Sequence, residues 1–315
     1  MSDSKDTSQV PEQAAEQVVE PVLEQWVGRT HMGTDIISAV QVRQMAATLD
    51  DAQRMANPGH SPLPAGWHWL YFNPIEVQSR LGADGHPARG DFLPPVELPR
   101  RMWAGSRLEW KRAFSVGAEV QKASEIIKVS RKSGRTGEMV LVTVAHVYSD
   151  EQGLLLREEQ DIVYRDSQSP AEKTALAEVA SRVAQWQAAA PVFERSGEHC
   201  KAVRPDAVML YRYSAATFNG HRIHYDVDYA REVEGYPGLV VHGPLIATLL
   251  LGFVENDIAS GRRIQSFAFR ATRPTFDLGG FHLHASTKGG DANALNVWAT
   301  NNIGEVGIDG LITLA

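Results

Sequence analysis

Cysteine is nearly missing, Cys200 being the only one in 315 residues. A disulfide framework and a cysteine-based zinc site are thereby excluded. Long apolar runs are missing too: the longest, Pro244 to Val254, is too short to span a bilayer. Met1 to Glu16 is polar, with no apolar signal core, so the expectation is a solvated tail on a cytoplasmic protein with no membrane partner. Nor is there a surplus of positive charge. Lys plus Arg total 31 against 38 for Asp plus Glu, a scattered net charge of -7 that argues against a nucleic-acid partner. No Gly-x-Ser-x-Gly elbow, Walker loop, Gly-x-Gly-x-x-Gly turn or His-Glu-x-x-His pair stands in the chain. Serine hydrolases, nucleotide hydrolases, nicotinamide enzymes and zinc proteases are disfavoured accordingly.

What is present is ordinary globular material, 43% hydrophobic and 22% charged, which argues against disorder. Length alone suggests about two domains. The expected division is a tail over 1–16, an N-terminal domain over 17–166, a helical linker over 167–191 and a C-terminal domain over 192–315. Ser38 to Gln41 fits a capping box, opening a helix with Val40, Met45 and Leu49 on its buried face. Asn57 to Arg100 is a Pro- and Gly-rich excursion holding the aromatic cluster Trp67 to Phe72. Residues 118–131, 138–149 and 154–165 read as an antiparallel meander, turned at Gly134 to Gly137 and Asp150 to Gly153. Ser169-Pro170-Ala171-Glu172 combines an N-cap, a proline at the first helical position and a capping-box Glu. An Ala-rich helix to Ala190, stopped by Pro191, should join the halves.

In the second half, Ala207 to Tyr213 reads as a strand, and residues 264–272, 281–287, 295–301 and 306–314 as four more. The segment from Pro244 to about Ile258 decides the fold. Leu245, Ile246, Leu249, Leu250, Leu251, Phe253 and Val254 are apolar nearly all round a helix axis, so that helix must be wrapped on most sides. A curved antiparallel sheet around one helix is the hotdog fold. Two such halves in one chain predict an α+β double hotdog.

Polar chemistry concentrates between Tyr213 and Asp226 and again at Val240 to Pro244. The His224 imidazole can take and give a proton near neutrality. The Asn219 amide can hold a water but cannot act as a base. Gly243 leaves its N–H open at the amino end of the buried helix, where unpaired N–H groups and the dipole favour negative charge. A proton shuttle, a water holder and an oxyanion site suit chemistry beside a thioester carbonyl. His242 and the pair Trp67 and Trp69 are candidate substrate contacts, the tryptophans as an aromatic wall, although buried aromatics more often serve a core. Among Arg100, Arg101, Arg107, Arg270 and Arg273, arginines that are mostly solvated in strands, one could recognise a phosphate or carboxylate. Arg107 and Arg273 are singled out for it.

The segment resembles the hydratase motif Asp-x-Asn-Pro-x-His of the MaoC-like family, in which Asp and His are the catalytic pair. Asn219 stands where that Asp would, five residues before His224, and Gly243 falls on the family's oxyanion glycine. The fuller form Tyr213-Ser214-Ala215-x-Thr217-Phe218-Asn219-x-His221-x-Ile223-His224-Tyr225 is similar to the hydroxyacyl-thioester dehydratase type 2 branch, which tends to carry Asn there. Trp26 to Thr30, Pro62 to Pro64 and Trp67 to Phe72 are similar to members acting on a branched C5 dicarboxylic acyl-CoA, mesaconyl-C4-CoA being the first such substrate. The resemblance covers residues 24–315. It implies a hydratase or dehydratase of α,β-unsaturated acyl-CoA, a homodimer, with coenzyme A entering as part of the substrate and no separate cofactor or metal. The alternatives are a (R)-3-hydroxyacyl-thioester dehydratase of fatty acyl chains and a non-catalytic acyl-CoA binder. Asp226 is the alternative source of the carboxylate missing at Asn219.

Overall fold

A computed structural model describes residues 23–60, 62–134, 137–188 and 191–315. The expected tail over 1–16 and the tip of the first hairpin, 135–136, lie outside the described residues.

The first half runs β1 (Thr30–Ile36), α1 (Ala39–Thr48), α2 (Ala52–Ala56), a single turn Trp67–Leu70, then β2 (Arg100–Trp110), β3 (Glu119–Gly134), β4 (Gly137–Asp150) and β5 (Gly153–Arg165). After α3 (Pro170–Gln187), the second half runs β6 (His199–Val203), α4 (Ala207–Ala216), α5 (Gly243–Phe253), β7 (Ile264–Ala271), β8 (Phe281–Lys288), β9 (Asp291–Thr300) and β10 (Val306–Leu314). Among the described residues, ten strands share one sheet, in the order β1-β3-β4-β5-β2-β7-β10-β9-β8-β6. Within each half the order is first, third, fourth, fifth, second, and the two units join antiparallel through β2 and β7. This is the double hotdog expected from the apolar helix.

At the seam, Gly105 opposes Arg270. A Cβ on Gly105 would stand 2.2 Å from the Phe269 carbonyl oxygen, so only glycine lets the halves approach this closely. β2 also shifts register against β5 between Trp103 and Gly105, a bulge that bends the strand next to the seam.

Helix α5 buries Leu245, Ile246, Ala247, Leu250, Leu251 and Phe253. Its core extends across the seam, gathering Met45 of α1, Trp67 and Leu70, Trp110 of β2 and Tyr148 of β4 together with Phe267, Leu283, Val297 and Ile312. A second core on the first half's meander holds Ile126, Val142, Ile162 and Tyr164.

Some local expectations change. Ala207 to Tyr213 is helix α4, not a strand: Asp206 caps it by accepting from the Met209 N–H, and a cap outweighs the residues' strand preference. In α1 the buried stripe is Val42, Met45 and Ala46, while Val40 is 65% exposed. Ser38 caps the helix through the Val40 N–H, and Gln41 instead reaches the Leu70 carbonyl. Arg100, Arg101 and Arg107 lie on β2, and β1 and β6 are further strands. The capping box at Ser169 and Glu172 forms as expected.

Candidate active site

Asp206 starts α4 and the helix ends at Ala216, after which Phe218 takes a positive φ of 48°. The chain then turns inward: the Asn219 N–H donates to the Ser214 carbonyl (2.8 Å), and Asn219 Oδ1 accepts from the His221 N–H (3.0 Å). A backbone N–H can only donate, so the Asn219 Oδ1 is fixed as acceptor and its Nδ2 hydrogens remain to be offered. A short turn Arg222–His224 then presents His224 inward, 8% exposed.

His224 Nδ1 donates to the Val240 carbonyl at 2.7 Å. A carbonyl can only accept, so the proton sits on Nδ1 and Nε2 carries the lone pair. Burial pushes the imidazole down to about 4, against the opposing pull of the Val240 carbonyl, so it is neutral at pH 7. The His242 ring stacks on it at 3.7 Å between centroids and 19° between planes. His242 itself is fully buried, shares a 2.8 Å hydrogen bond with Ser214 Oγ, and is held well below its ordinary range by burial.

His242 is also the N-cap of α5, and its side chain makes no capping bond. Pro244 has no N–H. The Gly243 N–H finds no acceptor among the described residues, and a Cβ placed there would meet nothing within 4 Å. The amino end of a buried helix therefore offers a free donor and a favourable dipole beside the stacked imidazoles.

The first half contributes a group that sequence reasoning missed. Its loop at residues 82–89 docks on the 217–226 loop backbone to backbone: the Arg222 N–H donates to the Asp84 carbonyl, and a Cβ on Gly85 would stand 2.0 Å from the Gly220 carbonyl oxygen. This brings the His86 ring to 4.2 Å from that of His221, which in turn lies 5.4 Å from His224, edge to face. Asp84 accepts from His86 Nδ1 at 3.0 Å. Burial opposes the Asp84 charge, yet the hydrogen bonds from His86 hold its carboxyl below the usual range. Burial lowers His86 and His221 as well, and the Arg101 cation lowers both further. Asp84, His86 and His221 each offer a ligand atom within 4.8 Å of one another, a donor set suited to a divalent cation. The Arg101 charge works against an ion there.

The other expected residues fall elsewhere. Asp226, the alternative carboxylate, is engaged on both oxygens, by the Arg222 guanidinium and the Tyr229 N–H. Arg107 is tied to Glu159 and Asp161 of β5, and Arg273 to Glu194 and Glu305, in half-exposed ion pairs. These two guanidiniums, expected as candidate anchors for a phosphate or carboxylate, are each paired with two carboxylates of the chain. Trp67 is buried in the α5 core, and Trp69 donates to the buried Glu158 carboxylate at 3.2 Å. Their turn leans on α5, since a Cβ on Gly66 would stand 2.7 Å from Leu251 Cδ1.

The family model described as hydroxyacyl-thioester dehydratase type 2 matches residues 66–277. The chain is 42% identical over 264 residues to the mesaconyl-C(4)-CoA hydratase of Chloroflexus aurantiacus, covering 84% of this chain and 89% of that one. It is 25% identical to a mitochondrial hydroxyacyl-thioester dehydratase type 2 of Schizosaccharomyces pombe, over 77% and 85% of the two chains. In fold it is similar to a MaoC-like dehydratase from Phytophthora capsici (TM-score 0.66, 12% identity, 94% and 98% covered). It is also similar to a Mycobacterium tuberculosis protein described as a double hotdog (TM-score 0.51, 14% identity, 91% and 96% covered). The matched segment holds Asn219, His224 and Gly243 together with Asp84 and His86, and on that span the chain belongs to the hydroxyacyl-thioester dehydratase type 2 family.

Proposed function

We propose that this protein is a hydro-lyase that adds water across the double bond of an α,β-unsaturated acyl-CoA, with mesaconyl-C4-CoA as its substrate. One observation carries the reading: a buried, neutral His224 whose Nδ1–H is held by the Val240 carbonyl, leaving Nε2 as a base. The 42% identity to a mesaconyl-C(4)-CoA hydratase supports the choice of substrate.

The chemistry follows from the donors present. The thioester carbonyl oxygen accepts from the Gly243 N–H at the start of α5. A water oxygen accepts from Asn219 Nδ2, and one of its protons passes to His224 Nε2 as the oxygen attacks the β carbon. The π electrons of the double bond move toward the thioester, and the charge that builds on its oxygen meets the Gly243 N–H and the helix dipole. His224 then delivers the proton to the α carbon and returns to its neutral form. One C–O and one C–H bond replace the π bond and one O–H bond of water, and both hydrogens of the product's new groups come from that water. Burial keeps the ring neutral and free to accept, at a cost in basicity, and makes the imidazolium a strong donor to carbon.

In this reading residues 192–315 carry the chemistry, and residues 17–166 shape the tunnel for acyl group and coenzyme A while placing His86. Coenzyme A is part of the substrate, no separate cofactor or metal takes part, and the enzyme works in the cytoplasm as a homodimer. Loss of enoyl-thioester absorbance on mesaconyl-C4-CoA and on crotonyl-CoA tests it. Faster hydration of the mesaconyl ester is expected. No loss with either ester would overturn the reading in favour of an acyl-CoA binder, and preference for crotonyl-CoA would favour a fatty-acyl dehydratase.

A further inference from the structure

In a chain of net charge -7, one cleft of about 450 Å³ is lined with cations. It opens where the 82–89 loop, the start of β2, the amino end of α3 and the π-helical turn Tyr229–Val233 meet. Arg100, on one wall, is neutralised by Glu234. Arg89 spends its donors on the carbonyls of Val96, Leu98 and Pro99, and so keeps its full charge. Neither Arg101 nor Lys173 has a carboxylate within 4 Å among the described residues. The one other acid on the wall, Asp84, is committed to His86. The cleft therefore holds an excess of positive charge.

A second observation points to a ligand. Gln168 lines the same cleft at 8% exposure, and neither its Oε1 nor its Nε2 has a hydrogen-bond partner among the described residues. A buried amide without partners costs stability unless something supplies them. The cleft borders the candidate site: His86 is on its wall, and its ring contacts that of His221, which contacts that of His224.

We infer that this cleft is the anion-anchoring subsite for the thioester, with Arg101 as the forked partner of an anionic oxygen group and the Gln168 amide completing its hydrogen bonds. The inference rests on the acyl-thioester reading of the site and names what that site grips. Two groups of the substrate share the chemistry, the free carboxylate of a dicarboxylic acyl chain and the phosphates of coenzyme A.

Calorimetric binding in a His224→Ala background separates the sources without relying on turnover. Three probes are used: mesaconyl-C4-CoA, crotonyl-CoA and the N-acetylcysteamine thioester of mesaconate. Arg101→Met should weaken binding roughly 10- to 100-fold wherever the gripped group is present. Loss with the two mesaconyl probes and not crotonyl-CoA assigns the carboxylate; loss with the two CoA esters and not the short thioester assigns the phosphates. Arg101→Lys should recover part of the affinity, since it keeps the charge and loses the fork. Gln168→Leu should weaken the same probes without lowering Tm, because no protein contact of the amide is lost. Unchanged or uniformly weakened binding of all three probes in Arg101→Met overturns the inference, as does a fall in Tm with no change in affinity in Gln168→Leu. The hydratase reading is judged apart from this, by wild-type turnover alone.

Discussion

Gly243→Ala separates fold from chemistry at one atom. The residue is the first of α5 and has an ordinary negative φ, so alanine needs no left-handed strain. Its methyl would meet no protein atom within 4 Å, so packing has nothing to lose. Alanine favours a helix over glycine by up to about 1 kcal/mol. The following Pro244 opposes this, because a proline disfavours helical backbone in any non-glycine residue before it. The two nearly cancel, and a net effect within about 1 kcal/mol moves Tm by no more than about 4 °C. In the proposed reaction, however, that methyl occupies the approach of the thioester oxygen to the Gly243 N–H. Loss of one such donor typically costs about 100- to 1000-fold in kcat. Differential scanning calorimetry and the enoyl-thioester absorbance assay on the same preparation check both halves. A folded Gly243→Ala protein within threefold of wild-type kcat would refute the oxyanion role of this N–H.

Two further outcomes follow from the geometry. Because burial lowers His224 to about 4, kcat/KM should stay level from pH 8 down to about 5 and fall by half near pH 4 as the base is protonated; a half-point near 6.5 would mean a solvated imidazole and contradict the site. Gly105→Ala drives a Cβ to 2.2 Å from the Phe269 carbonyl oxygen at the seam of the two halves. The backbone must yield at a cost of about 3 kcal/mol, a fall in Tm of roughly 6–12 °C. A melt within 2 °C of wild type, taken as about the experimental spread of such shifts, would show that the seam tolerates the methyl.

Much of the architecture is legible because it rests on local rules. The all-round apolar surface of α5 demands a wrapping sheet, and the Ser169 capping box marks α3 unaided. The region from Ala207 to Tyr213 misleads because Val, Leu and Tyr suit either element, and only the Asp206 cap decides. At the site, Asn219, His224 and Gly243 are close in sequence to the helix they serve and can be read directly. Asp84 and His86 cannot, because they arrive by a loop docking more than a hundred residues away, made possible by the bare backbone of Gly85 against Gly220. The signal was there in weak form, an Asp and a His two residues apart around a glycine in an excursion too long to be mere connection. Arginines are the harder case. Sequence gives their charge but not their partners, and the β2–β5 register neutralises Arg107 with Glu159 and Asp161 while leaving Arg101 with no carboxylate partner among the described residues.

Everything chemical in this account passes through one ring nitrogen. The hydration rate of mesaconyl-C4-CoA by folded His224→Ala protein tests that most directly. A loss of about 100- to 10,000-fold is the outcome predicted for removal of the acid–base group, and turnover close to that of the unaltered protein would contradict it.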